Sequence, residues 1–244
     1  MLKDRQDAYG HELLDYLNGI TGSEIVERDD GYIEVSVDNK FYFTDYKDWT
    51  PHERKAIRYA RGRVLDVGCG AGRVLLYLQQ KGLDVMGIDI SPLAVEVCKK
   101  RGIQNVRVLS ITQVSSKLGF FDSILMFGGS FGLLGCPERA KWQLKRFHKI
   151  TSERGRIIAL SCDPYRAVSQ ESKQYRKFNK KRGRMPGQFR FRIRYKKYVT
   201  PWIDWLVVSK KEMTGVLKGT GWQIKKFIDA DKSPVYIAII EKER

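Results

Sequence analysis

Short apolar runs alternate with helically spaced apolar positions from residue 63 to residue 161. Residues 63–67 (RVLDV) are a β-branched run that stops at a glycine cluster, and 73–81 (RVLLYLQQK) keep helical spacing up to Gly82. Residues 83–89 (LDVMGID) read as a second strand. Ser91 then supplies an N-cap and Pro92 a first-turn proline for a helix to Arg101, where Lys99, Lys100 and Arg101 complement the dipole before Gly102. Residues 105–109 and 121–127 predict the third and fourth strands, 137–150 a helix opened by Pro137, and 156–161 a fifth strand. Strands joined by crossover helices predict a parallel sheet covered on both faces. Such a sheet takes its ligand beyond the carboxyl ends of its strands, here at 68–72, Asp89, Ser110, 127–131 and 162–165.

Two regions break the alternation. The first 60 residues predict a helix over 8–17, a short strand around 32–37, an aromatic run ending in Trp49, and a helix opened by the capping box Thr50-Pro51-His52-Glu53. After Asp163 comes a basic stretch, then a capped helix over 209–219 and strands at 222–228 and 235–241. The link between those two strands is too short for a crossover helix, so they pair antiparallel. The layout predicts one domain with an N-terminal cap (1–52), a core (53–165 and 209–244) and a basic hairpin insertion (166–208).

A chain of 244 residues with 42% hydrophobic and 30% charged positions can bury a core, which excludes a disordered protein. The net charge of +17 is concentrated, because residues 166–197 hold 13 basic residues and one acid, Glu171. In 188–197 (QFRFRIRYKK) Phe189, Phe191, Ile193 and Tyr195 alternate with Arg190, Arg192, Arg194 and Lys196. Period two predicts a strand with one apolar and one basic face. At ~3.3 Å per residue the cations extend over about 20 Å. Arg190, Arg192 and Arg194 are therefore candidates for holding an anionic substrate or tracking RNA phosphates. A solvated face that blocks edge pairing has the same pattern.

The four cysteines form no CxxC pair and have no histidine at ligand spacing, which predicts free thiols in a cytoplasmic setting and no metal site. Residues 118–137 are the least charged stretch, but five glycines interrupt them, which argues for a buried strand and loop and against a membrane span. The opening MLKDRQDAYGHE, charged from its third residue, predicts no signal peptide.

Candidate chemistry begins at the first strand's end, VLDVGCGAG. Glycines there let the backbone turn tightly and bring its amides close to a ligand. Arg73 stands where a dinucleotide fingerprint needs glycine or alanine, and no Gly-Lys-Ser/Thr follows, so neither a dehydrogenase nor a Walker loop fits. Asp89 closes the second strand about 20 residues on, where an acid accepts ribose hydroxyls. Asp66 adds a second carboxylate, suited to a cationic nucleoside.

The VLDVGCGAG loop, the GIDIS segment and the antiparallel last strand resemble the class I S-adenosylmethionine-dependent methyltransferases. The resemblance implies a Rossmann-like α/β fold with a seven-stranded, mostly parallel sheet in the order 3-2-1-4-5-7-6. It implies S-adenosyl-L-methionine as cofactor and S-adenosyl-L-homocysteine as product. Asp66, Gly68, Cys69 and Gly70 would line the methionine moiety, Asp89 the ribose, and Ile90 the adenine. Ser110-Ile111 stands where the family often has an acid and a small residue, and Phe127 and Gly128 would close the pocket.

Methyl transfer needs orientation first and a general base only for a protonated acceptor. Tyr46, Ser130 and Asp163 are the candidates near the crevice, and Tyr42, Tyr46 and Trp49 could lid the cofactor. The Asn/Asp-Pro-Pro-aromatic motif of base-amino methyltransferases is absent after the fourth strand. Cys162 lacks the companion Pro-Cys of RNA cytosine-C5 methyltransferases and reads as structural. The expectation is a methyltransferase for a small-molecule acceptor, anionic if the basic stripe contacts it, with an RNA (tRNA or rRNA) methyltransferase as the alternative. A non-catalytic anion- or RNA-binding protein on the same fold is the third reading. No residue pattern sets the oligomeric state.

Overall fold

A computed structural model describes residues 2–36 and 39–243. In chain order its elements are α1 (Ala8–Leu17), β1 (Glu24–Arg28), β2 (Ile33–Ser36), α2 (Pro51–Ile57), β3 (Arg63–Val67), α3 (Arg73–Gln80), β4 (Asp84–Asp89), α4 (Pro92–Lys100), β5 (Val106–Val108), β6 (Phe121–Met126), α5 (Pro137–Lys149), β7 (Thr151–Cys162), α6 (Gln170–Lys181), β8 (Gln188–Tyr195), β9 (Tyr198–Val199), β10 (Ile203–Leu206), α7 (Lys210–Leu217), β11 (Trp222–Asp229) and β12 (Val235–Lys242). The predicted caps are present. Ser91 accepts from the Ala94 amide at 2.9 Å, and the capping boxes Thr50–Glu53 and Ser209–Glu212 open α2 and α7.

Seven strands form one sheet in the order β11-β12-β7-β6-β3-β4-β5. Counting core strands from β3, this is the expected 3-2-1-4-5-7-6. β6 and β7 run parallel, as do β4 and β5, while β12 is antiparallel to both β7 and β11. Ile124–Met126, Ile157–Ala159 and Ile237–Ile240 are all buried, the continuous apolar run of strands covered on both faces. Among the described residues no helix is long and apolar enough to cross a membrane.

The remaining strands form a second sheet, β10-β8-β1-β2, with β9 beside β8. Three details differ from expectation. β1 had no counterpart in the sequence reading. The strand expected over 32–37 is β2, and Val37 lies outside the described residues. The chain reverses after β8 at Lys196, whose φ is 51°, so that Tyr195 pairs with Tyr198 and the strand expected over 188–197 stops at Tyr195.

The chain divides into two compact units. The first comprises Met1–Trp49, Leu65–Gln113 and Arg190–Ile203. In it the buried Asp7 carboxylate accepts from the Gly10 amide at 3.1 Å and the Leu93 amide at 3.0 Å, so α1 and α4 start at one charge. β1 lies antiparallel to β8 with Val26 opposite Ile193 and Glu27 opposite Arg192. Opposed residues share a face. One face therefore carries Glu24, Val26 and Ile193, and the other carries Ile25, Glu27, Arg192 and Arg194. Tyr195 donates to Asp15 on α1 at 2.9 Å.

The second unit comprises Thr50–Val64, Val114–Phe189 and Asp204–Arg244. The buried Trp222 indole donates to the Leu144 carbonyl at 2.9 Å, and the Tyr236 phenol to the Val208 carbonyl at 2.6 Å. Arg176 on α6 donates to the carbonyls of Pro164 and Ala167, fixing that helix to the turn after β7.

Candidate functional site

The first unit places the glycine loop at the carboxyl end of β3. Gly68, Gly70 and Gly72 have φ of 72°, 52° and 77°, a region that favours glycine. The Gly68 and Cys69 amides donate to the Ile88 carbonyl on β4 at 2.9 and 3.1 Å, tying the loop to the next strand. The Gly70 amide donates to Asp89 Oδ2 and the Ser91 amide to Asp89 Oδ1, each at 3.0 Å. The carboxylate is thus held by two backbone donors, and each oxygen keeps acceptor capacity for a hydroxyl. Burial pushes Asp89 upward in pKa, and those two amides oppose it. Asp66 is buried beside the loop. Burial raises it to about 7, with Arg73 opposing and Asp89 adding to the rise.

Next to Asp89, Ile90 is 42% exposed, an apolar surface at a strand end. Val108 pairs with Asp89 across the parallel β4–β5 ladder, so Ser110 and Ile111 follow at the neighbouring strand end. Ser110 Oγ bonds Thr112 Oγ1 at 3.0 Å, and its amide donates to Gln113. Asp66, Gly68, Cys69, Gly70, Asp89, Ile90, Ser110 and Ile111 therefore gather at the ends of three adjacent strands. A glycine cradle, a fixed carboxylate, a second buried acid and an apolar platform fit a cationic nucleoside. In the second unit, Phe127 is buried and Gly128 is exposed with φ 61°.

The catalytic candidates have structural occupations. Tyr46 stacks on Tyr77, with centroids 4.3 Å apart, and lines a cavity of about 310 Å³ with Lys47, Arg73 and Arg101. None of the expected cofactor residues lines it. Ser130 is buried in the turn after β6, and Asp163 caps a turn by accepting from the Tyr165 amide at 2.9 Å. The basic stripe is partly answered by acids. Arg192 makes a two-point contact with Glu27 at 3.0 and 2.8 Å, and Arg194 meets the same carboxylate at 2.6 Å. Asp29 donates its amide to the Arg190 carbonyl at 2.9 Å.

A family profile described as a methyltransferase domain matches residues 64–155. The chain is similar to a Bacteroides fragilis S-adenosylmethionine-dependent methyltransferase solved in complex with S-adenosyl-L-homocysteine. The two share 26% identity and a TM-score of 0.84, covering 100% of this chain and 98% of that one. Residues 64–155 match a methyltransferase domain, and the chain has the fold of the class I S-adenosylmethionine-dependent methyltransferases. Curated relatives of this chain include the 2-heptyl-1-hydroxyquinolin-4(1H)-one methyltransferase of Mycobacteroides abscessus, 35% identical over 24% of this chain and 27% of that protein. A tRNA (uracil(54)-C(5))-methyltransferase of Pyrococcus horikoshii is 26% identical over 57% of this chain and 33% of that protein. The chain spans about half or less of the length of the curated relatives it matches.

Sequence reasoning missed two aromatic residues. Tyr9 on α1, not Tyr46 or Trp49, overhangs the glycine loop, because its phenol oxygen stands 2.6 Å from where a Cβ on Gly70 would lie. Its ring meets Tyr42 edge-on at 5.2 Å. The available signal was Gly10, a glycine inside a helix. A Cβ there would run into Ser91 and Asp7, so the glycine marks the close approach of α1 to the start of α4. In the second unit, the Trp205 indole lies where a Cβ on Gly132 would be.

Proposed function

We propose that this protein binds S-adenosyl-L-methionine at the ends of β3, β4 and β5 and methylates a small-molecule acceptor. The observation that carries the cofactor assignment is the Asp89 carboxylate, fixed by the amides of Gly70 and Ser91 beside the glycine cradle. Asp89 would accept the ribose hydroxyls, Asp66 the positive charge of the methionine moiety, and Ile90 the adenine face. The bound cofactor supplies an electrophilic methyl group, which the acceptor's lone pair takes while the C–S electron pair returns to sulfur. The chain's part is to orient the acceptor, exclude water and receive a proton where the acceptor has one to lose.

The acceptor class rests on the second sheet. Arg192 and Arg194 already meet Glu27, which weakens their case as a phosphate track and leaves the apolar face of β8 as the feature to explain. The four free thiols support a cytoplasmic setting. The test is calorimetric titration with S-adenosyl-L-methionine and S-adenosyl-L-homocysteine, for wild type and Asp89→Ala. Micromolar binding that weakens at least tenfold in the variant is expected; no binding to wild type, or an unaffected variant, would remove the assignment.

One observation favours the RNA reading as second choice. Lys173, Lys177, Lys180 and Lys181 follow one face of α6, all exposed, and none meets an acid among the described residues. Binding of tRNA that falls steeply with salt and is lost when these four lysines are replaced by serine would promote it.

A further inference from the structure

On α3, Arg73, Leu76, Tyr77 and Gln80 are spaced three and four residues apart and share one helix face. That face, the segment 44–47 and Arg101 at the end of α4 line the cavity of about 310 Å³. Three cations, Lys47, Arg73 and Arg101, line it against one acid, Asp45. They come from three separate stretches of the first unit, so the fold and not a local charge run brings them together. Both guanidinium groups pack over rings. Arg73 lies 4.2 Å from the Phe41 centroid and 4.9 Å from that of Trp49, and Arg101 lies 4.9 Å from that of Phe43. A ring under a guanidinium restrains it while leaving in-plane N–H groups to meet an oxyanion. Burial pushes the Arg101 guanidinium below its usual pKa, with Cys98 and Asp45 opposing, so its charge is partly stripped of water. An anion in the cavity would offset that loss.

The chemistry of the lining selects among anions. A carboxylate brings a single charge, whereas a phosphate monoester brings about −1.5 to −2 at pH 7 and three acceptor oxygens. The Tyr46 and Tyr77 rings, stacked 4.3 Å apart, add an aromatic wall. Ligand pockets span about 300–1,000 Å³, so this one suits a single ring bearing a phosphate. The cavity also reaches the glycine loop. Arg101 Nη1 donates to the Ala71 carbonyl, and Arg73 follows Gly72 as the first residue of α3. An anion fastened to both arginines therefore braces the loop.

We propose that this cavity is a binding site for a small aromatic phosphate monoester, separate from the cofactor site, and that its occupancy tightens cofactor binding. The coupling rests on the methyltransferase reading above, whereas the binding does not.

The test is calorimetric titration of phenyl phosphate, benzoate and benzyl alcohol into the full protein, for wild type, Lys47→Glu and Lys117→Glu. Both lysines are exposed and Lys117 lies outside the cavity, so the two variants change net charge equally at different places. The expected result is saturable binding of phenyl phosphate, at least tenfold weaker binding of benzoate, and none of benzyl alcohol. Lys47→Glu should weaken phenyl phosphate at least tenfold, and Lys117→Glu should leave it unchanged. Saturating phenyl phosphate should raise S-adenosyl-L-homocysteine affinity about fivefold or more in wild type. At the same concentration it should not do so in Lys47→Glu. If Lys47→Glu weakens binding no more than Lys117→Glu does, net charge draws the anion and the site is overturned. Benzoate binding as tight as that of phenyl phosphate overturns the phosphate class, and no binding of phenyl phosphate overturns the whole proposal. Unchanged S-adenosyl-L-homocysteine affinity overturns the coupling alone. Failure of S-adenosyl-L-homocysteine to bind wild type would instead defeat the reading beneath the coupling, while the phenyl phosphate titration still decides the cavity.

Discussion

The Tyr9 phenol oxygen lies 2.6 Å from the point where a side chain at position 70 would begin. Gly70 is therefore constrained twice, by this approach and by its φ of 52°. Gly70→Ala pays about 1–2 kcal/mol for the left-handed backbone and must also displace the phenol. S-adenosyl-L-homocysteine affinity should fall tenfold or more by calorimetry. Tyr9→Ala in the same chain should recover part of that loss, and strictly additive effects would disprove the steric account.

Asp7 caps two helices with one carboxylate. Losing a cap costs about 0.5–2 kcal/mol, and Asp7→Ala strips one from α1 and another from α4, so about 1–4 kcal/mol is expected from urea denaturation. Asp7→Asn keeps an acceptor oxygen and should lose less. Equal losses would mean that the hydrogen bonds matter little beside the charge at the two helix ends.

Asp66 ties stability to pH. Its carboxyl titrates near 7 in the folded protein and near 3.8 in an unfolded chain. Folding takes up a proton between those values, so the ligand-free protein should lose stability as pH rises from 4 to 7 and level off above it. The difference of about 3 units corresponds to roughly 4 kcal/mol at most. Glu24 and Asp89 are raised as well and act in the same sense. Asp66→Asn should flatten the profile of melting temperature against pH. A positively charged ligand beside Asp66 should release a proton near pH 6.5, seen as binding enthalpies that differ between phosphate and Tris.

Glu27 holds two arginines on one carboxylate, and those guanidinium groups keep its pKa low. Glu27→Gln would free both cations. Retention on heparin should rise, with elution at higher salt, while the melting temperature stays nearly constant because the groups are solvated. Unchanged elution would show that the stripe is not accessible to polyanions.

The core was legible because its signals are local. RVLDV running into glycines, Ser91-Pro92 and Ser209 to Glu212 fix their elements within a few residues, and the strand order followed from the resemblance those motifs support. β1 was not legible, since EIVER begins and ends with charge and pairs with a strand far along the chain. The partner of the arginine stripe was hidden for the same reason, because Glu27 lies on that strand. Lys196 takes a positive φ without the glycine or asparagine that would announce a turn. Tyr9 depends on how α1 sits against α4, which periodicity does not specify. The expected cofactor residues from Asp66 to Ile111 meet at neighbouring strand ends, whereas the catalytic candidates Tyr46 and Asp163 are occupied in a ring stack and a turn cap.

Glu27 and Arg192 face each other across 165 residues of chain. Until β8 is made, β1 and β2 have only each other, and a two-stranded hairpin is marginal in water. At ribosomal rates of about 5–20 residues per second, roughly 10 to 30 seconds pass between the emergence of the two partners. The β1 segment is thus translated well before it is secured, and the nascent chain carries an open strand edge until β8 follows.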